Sequence, residues 1–214
     1  MTGWSRPILL LLVASTLRAQ AGSPRLELSM PARVVAKGDG PTVSLGEMLS
    51  EGHRRDMLMS GWPTRLHCRV DLWKKGFIAF STESTFEWDY VVDYSPATES
   101  FQIRRQQEGR IELLGTVKSV AEAEQIVDRP IKLGIVPQSA GDRYYYYFGV
   151  DLSTLEMSDL DAWQRWVRGE ATPAVQGKRS FLSALKKGFG SLFSRMLGGE
   201  TQHYERRSDV FTAG

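Results

Sequence analysis

Two stretches of this chain alternate apolar and polar residues with a period of two, and that pattern commits its centre to a sheet with one face in water. In Arg65 to Trp73 the apolar set is Leu66, Cys68, Val70 and Leu72. In Phe86 to Tyr94 it is Phe86, Trp88, Tyr90, Val92 and Tyr94, with Glu87, Asp89 and Asp93 between. Further strands are predicted over Leu26 to Val35, Ser100 to Arg105, Arg110 to Thr116, Pro130 to Val136 and Arg143 to Leu152. The links Ser95 to Thr98, Glu108-Gly109 and Ala140 to Asp142 are short, and short links join neighbouring strands antiparallel.

Helix starts are marked by a serine three residues ahead of an acid, a pair that satisfies free amides at a helix N-terminus. Ser44 with Glu47, Ser119 with Glu122 and Ser158 with Asp161 fit, predicting helices that end near Ser60, at Asp128 and before Gly169. Val120, Ala123 and Val127 share one face of the second, and Leu160, Trp163 and Val167 share one face of the third. The expected fold is therefore α+β: a mostly antiparallel sheet of about six to seven strands with two to three helices packed on one face, plus a C-terminal amphipathic helix.

Met1 to Ala21 has the form of a secretory signal peptide, with Arg6 ahead of an apolar run from Ile8 to Ala14 and small residues at Ala19-Gln20-Ala21. A retained anchor is the rival reading, but Ser15, Thr16 and Arg18 interrupt the run well short of the roughly 20 apolar residues a spanning helix needs. Export would leave about 190 residues, the size of one domain. The expected layout is a signal at 1–21, a domain at 22–171, a linker at 172–178 that opens on Thr172-Pro173-Ala174, an amphipathic helix at 179–198 and a polar tail at 199–214. The product would be periplasmic or extracellular.

The chain carries 27 basic and 25 acidic residues. Arg6 and Arg18 fall in the signal without an acid, so the remainder is formally neutral and lacks the basic field that nucleic-acid binding requires. The single cysteine, Cys68, excludes an intramolecular disulfide and sits on the apolar side of its strand, as a small buried hydrophobe does.

The segment from Ala171 to Gly199 contains no acid. At about 100° per residue, Phe181, Leu182, Leu185, Phe189, Leu192, Phe193, Met196 and Leu197 fall in one arc of roughly 160°, while Ser180, Ser183, Lys187, Ser191, Ser194 and Arg195 lie opposite. With Lys186, Lys187 and Arg195 this makes a basic amphipathic helix that could dock on the domain, enter a partner's groove or lie on an anionic membrane. Gly188 and Gly190 each lower helicity by about 1 kcal/mol, so the helix needs a surface to fold on.

Tyr144-Tyr145-Tyr146-Tyr147 places aromatics on both sides of a strand. Tyr144, Tyr146 and Phe148 take one face, and Tyr145 and Tyr147 take the other as a candidate binding surface. Packing under a helix or the tail would explain the pair equally well.

Catalytic and metal chemistry find little support. The three histidines are His53 beside Arg54-Arg55, His67 on the polar face of its strand and His203 in the tail, and none has a second ligand at metal spacing. There is no Gly-x-Ser-x-Gly elbow and no glycine-rich phosphate loop, and of the carboxylates Glu83, Glu87, Asp89 and Asp93 the last three read as the solvated face of an alternating strand, with no indication of a cleft. No catalytic residue, metal or cofactor is expected.

The early strand and helix, the Arg65 to Trp73 strand, Trp88-Asp89-Tyr90-Val91-Val92-Asp93-Tyr94, the Phe101 strand with its Gly109 turn, the capped helix at Ser119 and the Tyr144 to Leu152 strand occur together behind a signal. This combination resembles the exported bacterial family known only as domain of unknown function 4390, over about Leu26 to Arg168. The resemblance implies a bacterial envelope protein with an α+β domain and supplies no catalytic residues. The functional expectation is a non-enzymatic envelope module that binds a protein or envelope component, with peripheral membrane contact and no nucleic acid. The alternatives are a small-molecule or lipid carrier with a pocket lined by Trp88, Tyr90, Tyr146 and Trp163, and a hydrolase whose site forms only in three dimensions.

Overall fold

A computed structural model describes residues 24–154 and 201–214. The signal at 1–21, the third helix expected from Ser158, the linker at 172–178 and the amphipathic helix at 179–198 lie outside the described residues.

The elements run β1 (Arg25–Ser29), β2 (Thr42–Gly46), α1 (Gly52–Met59), β3 (Thr64–Lys75), β4 (Phe80–Ser95), β5 (Ser100–Gln107), β6 (Arg110–Val117), α2 (Val120–Val127), β7 (Ile131–Lys132), β8 (Arg143–Thr154), β9 (Gln202–Arg207) and β10 (Phe211–Thr212). A seven-stranded sheet has the order β10-β8-β3-β4-β5-β6, with β9 also paired to β8, and a three-stranded sheet has the order β1-β2-β7. All pairings are antiparallel. The architecture is α+β.

The alternation seen in the sequence decides which face of the large sheet is buried. Leu66, Cys68, Val70 and Leu72 of β3 lie in the core with Trp88, Tyr90 and Val92 of β4, Phe101 and Ile103 of β5, and Tyr144, Tyr146, Phe148, Val150 and Leu152 of β8. Leu58 of α1, Ala123, Ile126 and Val127 of α2, and Val43 and Leu45 of β2 close that face from the other side. Full burial of each large side chain contributes about 1.5–3 kcal/mol, so this double layer supplies most of the stabilisation.

The helix at Ser119 forms as its sequence dictates. Ser119 Oγ accepts from the Glu122 amide at 3.2 Å while Glu122 Oε2 accepts from the Ser119 amide at 3.0 Å, and Asp128 closes the other end ahead of Pro130. The helix expected from Ser44 is a correction. Ser44 lies in β2, where Val43 and Leu45 are buried and Ser44 Oγ donates to Glu27 across the β1–β2 pair at 3.2 Å. Glu47 then takes φ 60°, which a helix cannot accommodate, and α1 starts only at Gly52. The supposed capping box was a strand serine with an acid at helical spacing by coincidence.

Two other expectations are revised. The strand expected from Leu26 to Val35 ends at Ser29, ahead of Pro31, and that expected from Pro130 to Val136 shrinks to Ile131–Lys132; both join the smaller sheet. The residues expected as a polar tail contain β9 and β10, which cover the outer edge of β8. Between them, Ser208 continues the pairing: its amide donates to Tyr146 O at 3.0 Å and its Oγ accepts from the Tyr146 amide at 2.9 Å. Phe211 stacks on Tyr146 and Tyr144 with centroids 5.6 and 6.1 Å apart. Charged residues on the edge strand hid its role from a hydrophobic reading.

A junction between α2 and the chain after β2 ties the covering layer together. Glu124 accepts from the Met48 and Leu49 amides at 2.6 and 2.9 Å and from Ser50 Oγ at 2.7 Å. Beyond it, Arg54 of α1 reaches Glu51, Met48 O, Gln202 and the Tyr204 hydroxyl, which docks the C-terminal strand on the first helix.

Candidate binding surface on the outer face of the sheet

Register sets out the face turned away from the core in rows across the strands. His203, Asp151, His67, Asp89 and Gln106 form one row from β9 to β5, and Arg207, Tyr147, Asp71 and Thr85 form another. Tyr145, Trp73 and Phe80 gather at the end of the sheet where the β3–β4 hairpin turns.

Charges on this face are paired with one another, across a row, on the diagonal or along one strand. Asp89 accepts from Arg65 Nε at 3.0 Å and lies 3.0 Å from His67 Nδ1. Burial alone would raise the Asp89 carboxyl, but the hydrogen bond to His67 and the charge of Arg65 outweigh it and hold the group below its ordinary value. Asp71, only 3% exposed, accepts from Arg69 Nε at 2.8 Å and from Thr85 Oγ1 at 2.6 Å. Asp93 pairs with Arg104. Of the acids expected as a solvated strand face, Asp89 and Asp93 are thus tightly partnered.

Tyr145 and Tyr147 both lie on this outer face, half-buried, while Tyr144, Tyr146 and Phe148 are in the core. Tyr145 is parallel to Trp73 at a centroid distance of 6.0 Å and meets Phe80 edge-on at 4.9 Å. The Arg207 guanidinium stands 6.0 Å from the Tyr145 centroid and 5.5 Å from that of Tyr147. Tyr147 lies across Gly149, where an added Cβ would sit 3.0 Å from its ring. The result is a strip of ring faces flanked by a cation.

Beside it the Tyr147 hydroxyl is 3.0 Å from His203 Nε2, and His203 Nδ1 is 2.7 Å from Asp151 Oδ1. With Nδ1–H donating to Asp151, Nε2 is left to accept from Tyr147. This chain of three has the outline of a relay. Burial, then the Glu205 and Asp151 carboxylates, push the Tyr147 hydroxyl up to about 12, so it stays protonated at neutral pH. Asp151 and His203 are each about half exposed, which leaves them in a high-dielectric setting that weakens such pairs.

Sequence reasoning placed Tyr145 and Tyr147 on the same side but missed Trp73, Phe80, Arg207, His203 and Asp151 as their neighbours. Gln202 to Arg207 carries little signal of a strand, because Tyr204 alone interrupts its charged and polar residues. The expected contact residues Phe181, Leu182, Leu185, Lys186, Lys187, Phe189, Leu192, Phe193, Arg195, Met196 and Leu197 lie outside the described residues.

Among the described residues, the region where a carrier pocket was expected is closely packed. Trp88 stacks on Phe148 at 6.1 Å and meets Tyr90 edge-on at 6.5 Å, and the gap bounded by Val43, Leu45, Trp88, Tyr90 and Phe148 has no room for a water molecule; Trp163 lies outside the described residues. An open groove of about 490 Å³ runs between β1 and β9, lined by Arg25, Leu26, Glu27, Leu28, Glu205 and Arg206. It is charged and shallow, unlike the enclosed apolar site a lipid or small molecule takes.

Among the described residues no group of three or more His, Cys, Asp or Glu side chains is placed to hold a metal ion, and no helix is long and apolar enough to cross a membrane. Comparison of the chain with family models, with curated proteins and with solved structures gave no match in any of the three.

Proposed function

We propose that this chain is an exported, non-enzymatic envelope module that binds a protein or other envelope component through the outer face of its seven-stranded sheet. The observation that carries the reading is the ring strip: Trp73 and Tyr145 lie parallel, half-buried, with Arg207 over Tyr145 and Tyr147. Aromatic faces held rigid by a sheet give contact area at little entropic cost, and Trp, Tyr and Arg are the residue types that dominate binding energy at interfaces.

The basic amphipathic segment at 179–198 adds peripheral contact with a membrane or with the partner, and the signal-like start and the resemblance of the strand and helix pattern to an exported family support a site of action outside the cytoplasm. Nucleic acid is not a partner in this reading, because the mature chain is formally neutral.

The test is retention of the mature chain by envelope material from its native source. Trp73→Ala with Tyr145→Ala should cut retention about tenfold, a loss of about 1.4 kcal/mol, with the melting temperature held within a few degrees. Equal retention would remove the outer face from the reading. Flotation with anionic liposomes tests the segment at 179–198 through Leu185→Ser with Phe189→Ser. Point substitution is required here, since truncation after the linker would also strip β9 and β10 from the sheet.

A further inference from the structure

The β3–β4 hairpin ends in a turn that exposes two large apolar side chains. Phe77 is 104% exposed and Ile78 is 93% exposed, against 58% for Leu113, the next most exposed large hydrophobic among the described residues. The turn is well defined: the Gly76 amide donates to Ala79 O at 2.8 Å, and an added Cβ at Gly76 would sit 2.8 Å from that same oxygen. The strands beneath it stay paired down to Lys75 and Phe80, with one bulge between Leu72 and Trp73. The tip is therefore presented on a stiff arm.

Basic and aromatic residues lie in layers behind it. Lys75 is exposed, and Lys74 lies 2.7 Å from Asp142 and 5.9 Å from the Tyr144 ring centroid. From Lys74 to Thr82 the sequence contains no acid; the next one, Glu83, accepts from the Gln138 amide at 2.9 Å. Phe80, Tyr145 and Trp73 then form the aromatic level described above.

We propose that this hairpin tip inserts into the headgroup boundary of an anionic lipid surface. Phe77 and Ile78 would enter the acyl boundary, exposed Lys75 would meet lipid phosphates, and Tyr145 and Trp73 would stand at the depth where amphipathic rings collect. The order of apolar tip, basic collar and aromatic belt matches the polarity gradient of a bilayer edge. A protein partner needs a broad face of about 800 Å², and two adjacent side chains at the end of a hairpin offer a point. This contact is separate from the segment at 179–198, and the experiment distinguishes them.

The full mature chain carries an environment-sensitive fluorophore at Ile78→Cys or, as a control, at Ala97→Cys in the turn at the opposite end of β4; native Cys68 is fully buried and stays unlabelled. Vesicles are phosphatidylcholine with or without phosphatidylglycerol. A blue shift at position 78 on the anionic vesicles only, none at position 97, and at least tenfold weaker partition for Phe77→Ser with Ile78→Ser at unchanged melting temperature are expected. A shift that persists in the Leu185→Ser, Phe189→Ser variant supports the tip independently of the segment. Unshifted emission, with partition lost only in the segment variant, overturns the tip and leaves the proposed function standing. Equal shifts on both vesicles overturn the anionic assignment, and a shift without vesicles that grows with protein concentration means that a second copy covers the tip, which also overturns it.

Discussion

His203 Nδ1 sits 2.7 Å from Asp151 Oδ1 across strands that are more than forty positions apart in the chain. The pair marks where the C-terminal strand joins the sheet, but its own energy is small. Both groups are about half exposed, so His203→Ala should cost less than about 1 kcal/mol in a denaturant titration.

The strand that carries His203 matters far more than the pair. Ending the chain before Gln202 would free the outer edge of β8, remove Phe211 from Tyr144 and Tyr146, and unpair Arg54 from Gln202 and Tyr204. The expected result is loss of cooperative melting and aggregation through the bare edge, observed by thermal denaturation with light scattering. An unchanged cooperative transition would show that β9 and β10 contribute little.

Glu124 should be among the most sensitive polar positions. Glu124→Ala leaves the Met48 and Leu49 amides buried without an acceptor, and each orphaned group costs about 1–3 kcal/mol. Glu124→Gln keeps one carbonyl oxygen and should cost clearly less, so the ratio of the two in chemical unfolding reads out the amide contacts.

Asp128 gives the fold a pH signature. Burial, then the neighbouring Glu124 carboxylate, push its carboxyl up to about 7, and its Oδ1 is buried without a hydrogen-bond partner among the described residues. The folded value exceeds the unfolded one, so the folded state binds the extra proton between about pH 4 and pH 7. Stability from this group therefore falls as pH rises through that window. Asp128→Asn should raise the melting temperature at neutral pH and leave it little changed near pH 4, which melting curves across the range would register.

How far the fold was legible followed the strength of local alternation. Leu66, Cys68, Val70 and Leu72 announced their strand because one face is fully apolar, and Ser119 with Glu122 announced α2 because the capping contacts are local. Ser44 misled because its partner is Glu27, seventeen residues away, and spacing alone does not report such a contact. The outer face was half legible. Alternation put Tyr145 and Tyr147 on one side, but Trp73 joins Tyr145 through strand order and Arg207 arrives on an edge strand with no apolar pattern of its own. Phe77 and Ile78 were silent, since an apolar pair in a turn reads as core until three dimensions show it pointing outward.

The outer face as a contact surface is tested most directly by placing a photo-reactive phenylalanine at Tyr145 and, as a control, at exposed Glu112 on β6, followed by irradiation in the native cell envelope. The account predicts a discrete adduct at 145, none at 112, and loss of the adduct when Trp73→Ala is added. No adduct at 145, or the same adducts at both positions, would contradict it.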